Sequence, residues 1–310
     1  MSDNTNHCVS VLIPCYNAGR WVTHAVETAL AQTYKNKEVI VVDDGSTDES
    51  LAAIKAFGDR IRWESGPNRG ASAARNRLLD LSRGDWIQYL DADDYLRPEK
   101  ITRQMKVVAE TGCQLVVSPW LRENGEIELE PTSADPWANL LATRLGNTIA
   151  NLWHKRSVIQ AGAWDTAMSL GEENDLMLRM LMQGVRVSFC MPPLAVVRSV
   201  NSQSASVRFR GGELQVRATR LRKAVRFLEE TNQLNNERRR AAGLAFLSLA
   251  SALHRRRDRR WRQMERAAYS VDPELRNCLR DSRIYGTLYR MLGFQWAELY
   301  SSCRRYLQFG

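Results

Sequence analysis

Asp85-Trp86-Ile87-Gln88-Tyr89-Leu90-Asp91-Ala92-Asp93-Asp94 opens as a strand and closes in three carboxylates within four residues. Positions 86–90 are aromatic or apolar except for Gln88, the composition of a buried strand. Side chains alternate in extended backbone, so Asp91 and Asp93 are expected on one face. Like charges on one face repel unless a cation lies between them. Hard divalent cations take oxygen ligands and are commonly shared with substrate phosphates. An acidic strand end can also be a simple turn, so the rest of the chain has to decide between turn and site.

The stretches before it alternate regularly. Residues 9–14 read as a buried strand, 15–19 as a turn, and 20–33 as a helix with apolar residues at Val22, Ala25, Val26, Ala29 and Leu30. A second strand, 38–42, ends in Asp43-Asp44-Gly45-Ser46, and a helix is expected from about 47 to 57. A third strand at 60–65 and a third helix at 71–81 lead into the stretch quoted above. Strand alternating with helix predicts an α/β doubly wound, mostly parallel sheet. Ligands of such sheets bind at the carboxyl ends of strands, where the strand order reverses. Tyr16, Asp43, Asp44, Asp91 and Asp93 all fall at such ends, which favours a site over a turn.

Beyond residue 94 the pattern predicts a helix at 98–111, a strand at 113–119 and a hairpin turn at Asn124-Gly125. A mainly helical stretch follows at 136–158, then a loop at 162–165 and a helix at 172–182. Short strands are expected at 186–191 and 195–198, and helices from about 212 onward. The division expected is residues 1–205 as the α/β domain and 206–310 as an Arg-rich helical C-terminal region.

The net charge of +9 is uneven: residues 1–200 sum to −4 and residues 201–310 to +13. The basic region carries Arg238-Arg239-Arg240, Arg255-Arg256-Arg257 and Arg259-Arg260-Trp261-Arg262. Such runs are usually a solvated face; here they also suit anionic lipid headgroups, with the apolar run 241–253 beside them. That run is too short to span a bilayer, and no signal peptide is expected from the polar residues 1–7. Six scattered cysteines without a C-x-x-C pair fit a reduced compartment. The expected location is therefore cytoplasmic, and the basic runs allow peripheral attachment to the inner face of the plasma membrane.

Five segments together carry a resemblance: VSVLIPCYN at 9–17, VVDDGSTD at 41–48, NRGASAARN at 68–76, YLDADD at 89–94 and GEENDLMLR at 171–179. In this order and spacing they resemble glycosyltransferase family 2, inverting enzymes of the GT-A fold. The resemblance covers roughly the first two-thirds of the chain. It implies transfer of a sugar from a nucleotide-diphosphate sugar to an acceptor hydroxyl, with Mg2+ or Mn2+ as cofactor. A sugar or lipid-linked acceptor in cell-surface polysaccharide or glycolipid assembly is implied with it.

The same resemblance implies residue roles. Pro14 and Tyr16, with Asn17, would line the nucleotide pocket. Asp44 would meet the base, supported by Asp43. Arg75 would sit near the base or diphosphate, with Asn68 in the adjoining loop. Asp91 would approach the ribose or the metal, and Asp93 would bind the metal. Glu173 would be the catalytic base, and Arg179 a structural arginine of its helix. Glu173 stands where the family usually has an aspartate, so Glu172 and Asp175 stay open as alternatives. Where the family often has a histidine, the chain has Val200-Asn201-Ser202. A third protein ligand to the metal therefore stays open too.

The chemistry matches these roles. A cation offsets charge developing on a diphosphate leaving group. An alcohol is a poor nucleophile and needs a base, which a carboxylate can be. Two other classes fit less well. A sugar-phosphate nucleotidyltransferase would need a Gly-rich phosphate loop after the first strand, where Pro14-Cys15-Tyr16-Asn17 stands. A non-catalytic basic nucleic-acid-binding module would need a recognisable binding motif beside the arginines, and nucleic acid is not expected as a partner.

Overall fold

The computed structural model describes residues 7–128, 130–198 and 212–275. The chain forms two compact units, Met1–Arg210 and Gly211–Gly310. The boundary expected near residue 205, the Val200-Asn201-Ser202 stretch, Cys278 and Cys303 lie outside the described residues.

The first unit opens as the alternation predicted: β1 (Val9–Cys15), α1 (Val22–Leu30), β2 (Lys37–Asp43), α2 (Ser50–Lys55), β3 (Arg62–Ser65), α3 (Ala71–Leu81) and β4 (Trp86–Tyr89). These four strands are parallel, with β1 between β2 and β4. Val9, Val11, Leu12 and Ile13 of β1 are fully buried. A strand covered on both faces has no solvent side and so reads as a continuous apolar run.

Then come β5 (Tyr95–Leu96), α4 (Lys100–Thr111), β6 (Leu115–Val117), β7 (Trp120–Arg122), β8 (Ile127–Glu128) and α5 (Pro136–Leu141). They are followed by β9 (Leu152–His154), α6 (Lys155–Gln160), α7 (Glu172–Met182), β10 (Val187–Phe189) and β11 (Ala195–Val197). The main sheet has the order β10-β6-β9-β4-β1-β2-β3, and a smaller sheet the order β5-β11-β7-β8. The chain runs outward from β1 to β3 and returns to place β4 on the other side of β1. That reversal opens a crevice at the carboxyl ends of β1 and β4.

Three expectations need correction. The stretch 136–158 is not mainly helical: β9 lies inside it, antiparallel to both β4 and β6. Leu152 and Trp153 are fully buried there. Three residues are too few to show a period, and only their two partner strands make them a strand. The helix expected from 47 is shorter and starts at Ser50. Residues 47 and 48 instead bind the first loop: the Thr47 N–H donates to Asn17 Oδ1 at 2.8 Å and the Gly19 N–H to Asp48 Oδ2 at 2.9 Å. The helix expected at 20–33 is confined to α1.

The second unit contains α8 (Glu213–Glu230), α9 (Asn236–Arg255) and α10 (Trp261–Val271). Asn235 caps α9 by accepting the Arg238 N–H at 2.9 Å. Ala242, Ala245, Phe246, Leu249 and Ala250 of α9 are buried, as are Trp261, Met264 and Ala268 of α10. A Cβ at Gly243 would collide with the Leu275 side chain, so glycine permits this close approach. Among the described residues no helix is long and apolar enough to cross a membrane.

Candidate active site

The tip of β4 is a turn, not extended strand. The Asp94 N–H donates to the Asp91 carbonyl at 3.0 Å. Strand alternation therefore does not bring Asp91 and Asp93 together, contrary to the expectation from spacing; the turn does. Asp93 is partly buried, and burial, then the Asp91 charge, pushes its carboxyl up. Asp94 is buried and accepts the Arg198 N–H at 2.9 Å. Burial, then Asp91 and Asp93, pushes its carboxyl well up. Carboxyls raised by neighbouring charge, as those of Asp93 and Asp94 are, form a locus that a cation would relieve.

Arg75 reaches this turn from α3. Its Nη2 is 2.9 Å from Asp91 Oδ1 and its Nη1 is 3.3 Å from Glu172 Oε1. The residue is 7% exposed, and its guanidinium lies 4.7 Å from the centroid of the Trp164 ring. Burial opposes the charge, but Asp91 and Glu172 raise the Arg75 pKa overall. Asn76, the next residue on α3, fixes Trp164 by two hydrogen bonds. Its Nδ2 donates to the Trp164 carbonyl at 2.8 Å, and its Oδ1 accepts the Trp164 N–H at 2.9 Å.

The first turn of α7 holds three acids in three environments. Asp175 pairs with Arg179 Nε at 2.7 Å. Arg179 also donates to the carbonyls of Ala161 and Ala163, tying α7 to the loop after α6. Glu172 is held by Arg75. Glu173 accepts the Thr148 hydroxyl at 2.6 Å and has no ion pair among the described residues. Burial raises its pKa, opposed by the Thr148 hydrogen bond and Arg75, and reinforced by Glu172 and Asp91.

A second cluster lies at the ends of β1 and β2. Register pairs Pro14 with Val42 and Cys15 with Asp43. Asp43 Oδ2 accepts the Ser65 hydroxyl at 2.7 Å. The two oxygens of Asp44 accept the N–H groups of Arg69 and Gly70 at 2.8 and 2.9 Å. Gly45, at φ 76°, packs so closely on Asn68 that a Cβ would strike the Asn68 nitrogen. Tyr16 is half-exposed, and Asn17 adopts a left-handed φ of 49°. A cavity of about 350 Å³ beside this cluster is lined by Asp43, Asp44, Gly66, Arg69 and Arg77 among others. Pro14, Tyr16, Asn17, Asp43, Asp44 and Asn68 thus gather at one part of the carboxyl end of the sheet. Arg75, Asp91, Asp93 and Glu173 gather at another.

Residues 10–162 match the family model described as Glycosyl transferase family 2. This region belongs to glycosyltransferase family 2. The chain is 41% identical over 96 residues to the chondroitin synthase of Escherichia coli, covering 30% of this chain and 14% of that protein. It spans 17% of the length of one curated relative and 34% of another. Among solved structures, S. aureus TarS 1-349 with UDP-GlcNAc superposes with TM-score 0.61 at 15% identity, over 87% of this chain and 92% of that one. The mannosyltransferase PcManGT from Pyrobaculum calidifontis, solved with GDP-Man and Mn2+, superposes with TM-score 0.56 at 17% identity, over 96% and 86%. The fold is GT-A, followed by a helical C-terminal region.

Whether this family 2 site suits a divalent cation can be judged from its donors. Among the described residues no set of three His, Cys, Asp or Glu side chains is placed to hold a metal ion. Three carboxylates stand at the turn; Asp94 is buried, and Asp91 and Asp93 are the two more accessible ones. A carboxylate has two oxygens, so the Arg75 ion pair leaves Asp91 in the donor set. Two hard oxygen donors fit Mg2+ or Mn2+, which complete their shells with phosphate oxygens and water.

Sequence reasoning passes over Asn76, Thr148 and Arg198. Asn76 stands within the NRGASAARN segment and could be singled out there. Arg198 lies between the rings of Trp21 and Tyr95, 5.0 and 4.9 Å from their centroids, with Nη2 2.6 Å from His24 Nδ1. Neither Arg198 nor Thr148 belongs to a recognisable motif, so spacing offers no signal. Of the tryptophans, Trp153 and Trp164 are core residues, and Trp164 is also the floor under Arg75.

Proposed function

We propose that the chain is an inverting glycosyltransferase acting on a nucleotide-diphosphate sugar. The observation that carries this is the Arg75 bridge, which joins the Asp91 turn to the acidic start of α7. Donor-side and base-side carboxylates are thereby linked through one buried cation. Pro14, Tyr16, Asn17 and Asn68 line the nucleotide pocket in this reading, and Asp44 meets the base with support from Asp43. A hard divalent cation held by Asp91 and Asp93 would offset the charge on the departing diphosphate.

Glu173 is the base. Asp175 is occupied by Arg179 and Glu172 by Arg75, which leaves Glu173 as the acid of this turn with a raised pKa and no ion pair among the described residues. It takes the acceptor hydroxyl proton as that oxygen bonds to the anomeric carbon and the bond to the diphosphate breaks. One displacement with one base inverts that carbon. Release of nucleoside diphosphate from a panel of UDP- and GDP-sugars, with and without Mn2+, tests the reading. Release from at least one donor is expected; none from any donor, at any acceptor tried, refutes it.

The relative named chondroitin synthase supports a polysaccharide acceptor. A glycolipid acceptor is supported by the exposed arginines Arg257 and Arg259 at the turn between α9 and α10 and Arg262 at the start of α10. Some arginines of these runs are engaged within the unit: Arg240 with Asp272 at 3.2 Å and Arg260 with Asp258 at 2.6 Å. Arg257, Arg259 and Arg262 are proposed to meet anionic lipid on the cytoplasmic face of the plasma membrane. Salt-sensitive sedimentation with anionic but not neutral vesicles is expected. Equal sedimentation with both removes the membrane role.

A further inference from the structure

Thr148 lies in an irregular loop between α5 and β9, and the fold pins it from several sides. Gly146, at φ 74°, makes room for the Asn151 side chain, which occupies the space a Cβ would need. Asn147 Oδ1 accepts the Ala150 N–H at 2.8 Å, and the Asn147 carbonyl accepts the Asn151 N–H at 3.2 Å. The buried Trp153 indole donates to the Thr148 carbonyl at 3.3 Å. Thr148 is itself 3% exposed, and its hydroxyl donates to Glu173 Oε2 at 2.6 Å.

We propose that Thr148 is a positioning residue, whose hydroxyl fixes the orientation of the Glu173 carboxylate toward the incoming alcohol. The inference rests on Glu173 being the base. An ionised carboxylate only accepts, so Thr148 must donate. A donated hydrogen bond favours the ionised form, the form a base needs. The other groups acting on Glu173 are Glu172 on its own helix, Arg75 from α3 and Asp91 from the β4 turn. The Asn174 amide is 3.4 Å from its other oxygen. Burial, Glu172 and Asp91 favour the protonated form, while Arg75 and Thr148 oppose them. Arg75 is already shared between Asp91 and Glu172, whereas the Thr148 hydroxyl is directed at Glu173. A β-branched side chain also has a restricted χ1, which holds that hydroxyl in place at little entropic cost.

The test compares full-length wild type with Thr148→Val and Thr148→Ser. Two readouts are taken: kcat against pH, and the pH titration of the Glu173 carboxyl by isotope-edited infrared spectroscopy with Glu173→Gln as the blank. In Thr148→Val the carboxyl is expected to titrate about one pH unit higher. The acid limb of kcat should move with it, kcat should fall about tenfold, and the donor KM should stay within about twofold. Thr148→Ser should restore both readouts. An unmoved titration in Thr148→Val, or a Thr148→Ser that behaves like the valine variant, overturns the proposal. Should Thr148→Val fail to fold, Thr148→Ala against Thr148→Ser makes the same comparison. The infrared titration needs no turnover. A wild type without transferase activity therefore sinks the base reading, while the titration still reports whether Thr148 controls Glu173.

Discussion

Arg75 Nη2 stands 2.9 Å from Asp91 Oδ1, and this ion pair joins the tip of a central strand to a helix on the sheet. The same guanidinium holds Glu172, so one buried cation spans both acidic parts of the site. Removing it would leave two carboxylates without their partner. Arg75→Met is expected to cost about 3 kcal/mol of stability, because an unpaired charge stays behind in a partly buried setting. Arg75→Lys should recover only part of this, since an ammonium cannot reproduce the two-pronged geometry. Urea denaturation of the three proteins checks both; equal midpoints for wild type and Arg75→Met would show that the bridge contributes nothing.

Glu173→Gln should leave donor binding intact and lower kcat by about a hundredfold or more, the scale of general-base catalysis. Glu172→Gln should instead act through Arg75, raising the donor KM along with any loss in kcat. Steady-state kinetics and nucleotide titration separate the two. Near-normal turnover in Glu173→Gln would transfer the base role elsewhere.

Asp93→Asn tests the cation. Calorimetric titration of UDP and of GDP is expected to show tighter binding to wild type when Mn2+ is present. The Asn variant should lose this enhancement while retaining the weak metal-independent binding. An enhancement that survives in Asp93→Asn removes Asp93 from the donor set.

The pH dependence of turnover has a definite sign. As the proposed base Glu173 would act deprotonated, and burial raises its pKa from the ordinary glutamate value. The acid limb of kcat should therefore lie above the pH at which an exposed glutamate titrates. Loss of activity as pH falls should begin earlier than for a solvent-exposed base. An acid limb at the ordinary glutamate value contradicts this.

Lys100 gives a stability prediction independent of the site. It is fully buried, donates to Gln88 Oε1 and to Gln104 Oε1 (the latter at 2.6 Å), and burial lowers its pKa well below the usual lysine value. Between the folded and unfolded pKa the unfolded chain binds more protons, so this residue makes stability rise with pH. Its contribution is lost as pH falls through the folded value. Lys100→Met should flatten that rise relative to wild type in thermal melts taken from neutral to alkaline pH. Parallel pH profiles for the two proteins would refute it.

Much of the fold and of the candidate site is legible in the residues themselves. α3 and α7 run over the predicted spans, and Asp43, Asp44 and Asp91 stand at or beside the predicted strand ends. Local patterns carry such information because a helix face or a buried strand is written in neighbouring residues. β9 is not legible, since three residues are too few for a period and their pairing partners are far away in sequence. Spacing does not rank the three acids of α7 either; the resemblance puts Glu173 first and leaves Glu172 and Asp175 open. Their spacing is that of any acidic helix start, and only Arg75, Arg179 and Thr148 distinguish them.

Apolar periodicity and turn residues are thus enough to place β1 to β4 and the order of the acidic loops, while the five motif segments carry the resemblance to the family to which residues 10–162 belong. Packing alone settles which carboxylates share a cation and which one stands apart. Arg75 and Glu172 are 97 residues apart in the chain, and nothing in either neighbourhood names the other. Their contact exists because α3 and α7 deliver them to the same end of one sheet, a placement that depends on the whole domain.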